Sequence, residues 1–105
     1  GLHNLWESNV PGDSITYTFT GTGIGLYMRV APDTGIISYQ IDNGEIKQYD
    51  TCDQYVKQGM DRIFYTFLET DLPRGEHTVK ISVSGEKNDA CNDCTVSIGA
   101  LLIKN

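Results

Sequence analysis

Apolar and polar residues alternate with period two along Ser14-Ile-Thr-Tyr-Thr-Phe-Thr20, so Ile15, Tyr17 and Phe19 share one face and three threonines the other. That is the signature of a half-buried strand. Gly21-Thr-Gly23 interrupts it, and Ile24, Leu26, Met28 and Val30 resume the same alternation, which predicts a hairpin with a short turn. Pro32-Asp-Thr-Gly35 is turn chemistry, and a third strand follows through Ile37, Tyr39 and Ile41. Asp42-Asn-Gly44 then favours the primed turns that join antiparallel neighbours, with residues 46–51 as the short partner strand.

Residues 52–62 lose the alternation and read as a long polar loop at one end of the fold. Residues 63–69 form another strand, closed by Leu72-Pro-Arg-Gly75, after which Val79, Ile81 and Val83 alternate again. A second polar loop spans residues 84–93, and residues 96–103 form a closing strand apolar enough to lie centrally and be covered on both faces. No segment keeps apolar residues at helical spacing for three turns. Seven or eight short strands with turn signals between them predict an all-β antiparallel sandwich, one domain over residues 1–105.

Composition narrows the partners. The formal charge is −6, with 14 acidic against 8 basic residues, and the basic ones are scattered, which disfavours nucleic acid and anionic membrane surfaces. No apolar run reaches the roughly 20 residues needed to cross a bilayer. The leading Gly1, with no Met, reads as a protease scar or a processed terminus.

The three cysteines, Cys52, Cys91 and Cys94, allow at most one internal disulfide. Cys91-Asn-Asp-Cys94 has CxxC spacing, but the only histidines are His3 and His77 and there is no second CxxC, so a zinc centre lacks ligands. A redox CxxC opens a helix, whereas this one precedes a strand. The remaining readings are free thiols or one loop staple, from Cys52 to Cys91 or to Cys94.

Gly12-Asp-Ser-Ile15 matches the nucleophile block of the GDSL (SGNH) hydrolases, yet it enters a β-strand instead of a helix. Neither histidine carries the Asp three positions upstream that would complete an Asp-x-x-His pair. His77 lacks an evident nucleophile and reads as a strand-edge residue bonded to a neighbouring loop. No spacing singles out two carboxylates for glycoside hydrolysis. The loop acids Asp50, Asp53, Asp89 and Asp93 offer oxygen ligands to a structural calcium but form no EF-hand string.

Aromatic faces stack on the C–H face of sugar rings while Asp, Asn and Arg bond the hydroxyls, which draws attention to Trp6, Tyr49, Tyr55 and Tyr65. Trp6, ahead of the first strand, and Asp53, Tyr55 and Arg62, in the long polar loop, are the candidate ligand-binding residues.

Phe19-Thr-Gly-Thr-Gly-Ile24, Gly35-Ile-Ile-Ser-Tyr-Gln-Ile-Asp-Asn-Gly44 and Leu72-Pro-Arg-Gly-Glu-His-Thr-Val-Lys-Ile81 resemble the galactose-binding-like jelly-roll domains that accompany bacterial SGNH/GDSL esterases and other carbohydrate-active enzymes. The resemblance runs from about Gly12 to the end. It implies a non-catalytic, carbohydrate-binding-like accessory module of a larger secreted, periplasmic or cell-surface bacterial enzyme, with a glycan and the neighbouring catalytic domain as partners and no required cofactor. The alternative it implies is a structural domain docked on that catalytic domain without binding sugar. Several sugar-binding relatives use an acid in the last strand to help hold a structural calcium; Ser97-Ile-Gly99 stands there in this chain, so that ligand does not carry over, and a structural calcium would rest on the loop acids.

Overall fold

The computed structural model describes residues 6–105; Gly1 and His3 lie outside them. Eight strands run in chain order: β1 Trp6–Ser8, β2 Ser14–Gly21, β3 Gly23–Val30, β4 Ile36–Ile41, β5 Ile46–Asp50, β6 Arg62–Glu69, β7 Gly75–Val83 and β8 Val96–Lys104. They form two four-stranded antiparallel sheets, ordered β1-β8-β3-β6 and β2-β7-β4-β5, which face each other as the sandwich the alternation predicts.

The inward positions are those the pattern marks. Leu26, Met28 and Val30 of β3 meet Val79, Ile81 and Val83 of β7 in one core, joined by Phe19, Ile37, Val96 and Ile98. Outward positions of β2 and β7, such as Thr16, Thr18 and Lys80, are exposed. Fully burying an aliphatic side chain contributes about 1.5–3 kcal/mol, so these alternating positions carry most of the folding drive.

The predicted β2–β3 hairpin does not form. β2 pairs with β7, whereas β3 pairs with β6 and β8 in the other sheet. A period of two records which face a residue shows, not which strand lies beside it, and both strands turn their apolar faces to the same core. Gly21-Thr-Gly23 is the crossing point. A Cβ on Gly21 would collide with the Lys104 carbonyl oxygen, and one on Gly23 would lie 2.8 Å from that of Glu69. Thr22 is tied on both sides, its N–H donating to Lys104 O (2.7 Å) and its carbonyl accepting from Leu72 N–H (2.9 Å).

β8 does lie centrally, between β1 and β3. It is buried on both faces only over its first three residues; a bulge at Gly99 follows, and Ala100 and Leu102 are half-buried on an open outer face. The β4–β5 turn closes with Gly44 N–H donating to Ile41 O at 3.0 Å, and its left-handed residue is Asp42 (φ 54°), not the glycine. The long loop contains a short 3-10 helix, Val56–Gln58, pinned by buried Val56. No described helix is long and apolar enough to cross a membrane.

Candidate functional site

Three of the four predicted site residues come together at the start of β6. Asp53 Oδ1 accepts the N–H groups of Tyr55 (3.0 Å) and Val56 (2.9 Å), which fixes the loop where it enters the 3-10 helix. The Arg62 guanidinium grips the same carboxylate with both terminal nitrogens, Nη1 at 3.1 Å from Oδ1. The guanidinium carbon lies 5.0 Å from the Tyr55 ring centre and 5.2 Å from that of Phe64. Arg62, with the two amides, holds the Asp53 carboxyl below the usual carboxylate range.

The cluster is closed on itself. Asp53 spends its oxygens on the loop and on Arg62, and one face of Tyr55 is covered by the guanidinium. What remains for a ligand is the outer part of the half-exposed Tyr55 ring. Trp6 takes no part: it pairs with Ile98 on the opposite edge of the β1-β8-β3-β6 sheet and packs on the core.

Among the other aromatic candidates, Tyr49 faces the interior from β5, where burial raises its phenol pKa. Tyr65 does the opposite. On β6, Ile63, Tyr65 and Phe67 point away from the core and are 48%, 59% and 43% exposed. The Tyr65 ring stacks on Tyr27 of β3 with centroids 5.2 Å apart, and the β3 and β8 positions in register beside it are Gly25, Ala100 and Leu102. A flat apolar face with an aromatic centre therefore lies on the outside of this sheet. Its signal is the run Arg62-Ile-Phe-Tyr-Thr-Phe-Leu68, apolar on both faces although it forms an edge strand.

Among the described residues, no histidine lies near the Gly-Asp-Ser-Ile block. Ser14 pairs with Ser82, and His77 pairs with Phe19 five positions along β2, a separation of about 17 Å at some 3.4 Å per strand residue. His77 has no free nitrogen: Nε2 donates to the Pro73 carbonyl (2.6 Å) and Nδ1 faces Asp42 Oδ2 (2.8 Å). Both partners are acceptors, so the imidazolium is favoured and the pKa of His77 is raised, chiefly by Asp42. It is the strand-edge histidine expected, tying the β4–β5 turn to the loop before β7.

The cysteine question resolves as a Cys52–Cys91 disulfide that joins the two long loops. Cys94 keeps its thiol, whose S–H donates to Asn9 O at 3.3 Å; burial, then Asp93, raises its pKa and makes it a poor nucleophile. Of the loop acids, Asp50 accepts from Cys52 N–H and Asn88, and Asp93 accepts from Cys94 N–H and Asn9. No three His, Cys, Asp or Glu side chains converge on a common point among the described residues.

No protein-family model matches the chain, and no curated protein is significantly similar to it. Solved structures are. The chain matches a quarter of a two-domain esterase. That enzyme (CEX), active on acetylated mannans, superposes with a TM-score of 0.72 at 18% identity, and its co-crystal with mannopentaose with 0.71 at 16%. Each match covers 91% of this chain and 26% of the esterase chain. At this identity the likeness establishes a shared fold.

Proposed function

We propose that this domain is a non-catalytic, carbohydrate-binding-like accessory module of a larger secreted bacterial carbohydrate-active enzyme. The observation that carries the reading is the fold match, in which a sandwich of this kind makes up about a quarter of a two-domain esterase acting on acetylated mannans. Two features of the chain support it. The candidate nucleophile Ser14 is far from His77, whose nitrogens are both engaged. The Cys52–Cys91 disulfide suits an oxidising compartment.

Calorimetric titration of the folded domain with neutral polysaccharides, acetylated mannan among them, tests the reading. Saturable binding without ester turnover is the expected result. Turnover of an acetyl ester that disappears in Ser14→Ala would overturn it.

A second reading, a purely structural domain docked on a neighbouring esterase-type domain, is favoured by the exposed Ile63, Tyr65 and Phe67 face. On that reading the isolated domain binds no glycan, and β6 amides exchange more slowly in the full-length protein than in the isolated domain. Equal exchange in the two would remove it.

A further inference from the structure

The open side of the sandwich lies between the edge strands β5 and β6, which belong to different sheets. Lys47, in register with Tyr39 and half-exposed, reaches its ammonium across the gap to Glu69 at the end of β6. This ion pair lines an open cleft of about 360 Å³, near the lower end of the roughly 300–1,000 Å³ typical of ligand sites. Ile41 and Leu72 supply apolar wall, and Tyr39, almost wholly buried, supplies the floor. Burial, and after it the Glu69 carboxylate, pushes the Tyr39 phenol pKa up, which keeps the hydroxyl protonated as a donor.

We propose that this inter-sheet cleft binds one neutral pyranose unit of a glycan chain, resting on the reading of the domain as a glycan-binding module. Lys47 carries three donors and gives one to Glu69, while Glu69 keeps an oxygen free, so a donor and an acceptor stand side by side as adjacent ring hydroxyls require. The Tyr39 hydroxyl can give and take a hydrogen bond at the floor, while Ile41 and Leu72 meet the C–H face of the sugar. Asp42 and Glu45 line the same cavity; with Lys47 set against Glu69 and His77 against Asp42, the carboxylate of Glu45 is the charge left over, which disfavours uronates and phosphates. The site is prearranged, because Asp42 is held by His77 at one oxygen and by Thr78 N–H at the other, 2.9 Å away.

The test is a chemical-shift titration of the ¹⁵N-labelled domain with mannopentaose, cellopentaose and xylopentaose, with pentagalacturonate as the anionic control. At least one neutral pentaose should shift the amides of residues 39–47 and 69–72 while the anionic chain shifts none of them. Tyr39→Phe and Lys47→Met should each weaken that binding by about tenfold, the loss of one well-placed hydrogen bond to a charged or fixed group, and the spectrum itself reports that each variant is folded. Binding that maps to residues 52–62 or to the outer face of β6, or that both variants leave unchanged, would overturn this site and leave the module reading intact. Absence of binding by every neutral pentaose and polysaccharide would overturn both.

Discussion

Removing the Cys52–Cys91 disulfide should lower stability by an amount that can be worked out from the chain. The bridge spans 39 residues. Closing a loop of that length removes roughly 13 cal/mol/K from the unfolded chain, about 4 kcal/mol at 25 °C. Besides the bridge, the two loops are tied by Asn88 to Asp50 and Gln48 to Glu86, contacts that do not involve the buried cysteines themselves. An unfolding entropy of about 2.1 cal/mol/K per residue gives some 0.22 kcal/mol/K for the domain, so the double variant Cys52→Ala/Cys91→Ala should melt about 18 °C lower. Differential scanning calorimetry at neutral pH, with the wild type and the wild type under reductant as comparisons, measures this. A drop smaller than about 5 °C would refute the reasoning, because it would mean that the bridge does not restrict the unfolded chain as its span requires.

Three further outcomes follow from the described contacts. The His77–Asp42 pair should make stability depend on pH with a maximum between the two ordinary values, 3.8 for Asp and 6.5 for His: Asp42 is lowered, so its contribution is lost as pH falls below the carboxylate range, and His77 is raised, so its contribution is lost as pH rises beyond 6.5. Urea midpoints from pH 3 to 9 should show both limbs, and His77→Gln should flatten the alkaline one. Arg62→Ala should destabilise the domain by about 1–2 kcal/mol, through the lost pair with Asp53 and the lost stacking on Tyr55 and Phe64, with Arg62→Lys recovering only part because an ammonium cannot fork or stack; an unchanged urea midpoint in Arg62→Ala would count against the strut. The buried Tyr17 hydroxyl has no partner among the described residues, and Tyr17→Phe should therefore stabilise by about 1 kcal/mol in the same assay.

The strands were legible because burial in a sandwich is periodic: Ile15, Tyr17 and Phe19, or Val79, Ile81 and Val83, announce their faces residue by residue. Strand neighbours were not. Both β2 and β3 contribute inner faces, so their pattern is the same whether they pair or oppose each other, and only the close backbone approach at Gly21 and Gly23 distinguishes the cases. Asp53, Tyr55 and Arg62 lie together because they are close in the chain, whereas sheet order, which no local pattern encodes, sets Trp6 on the other edge. Tyr39, Lys47 and Glu69 carry no mark in the sequence for a related reason. Their cleft is built from edge strands of two sheets, and no local spacing encodes the distance between residues 47 and 69. The outward Ile63, Tyr65 and Phe67 did leave a signal, since a strand apolar on both sides expects cover on both, and its outer face is open.

The most direct test of a glycan-binding, non-catalytic role is calorimetric titration of the folded domain with neutral polysaccharides, acetylated mannan included, run beside an acetyl-ester hydrolysis assay of the same preparation. Saturable binding with no turnover is the predicted result. Turnover that is lost in Ser14→Ala, or no heat of binding with any neutral polysaccharide, would contradict it.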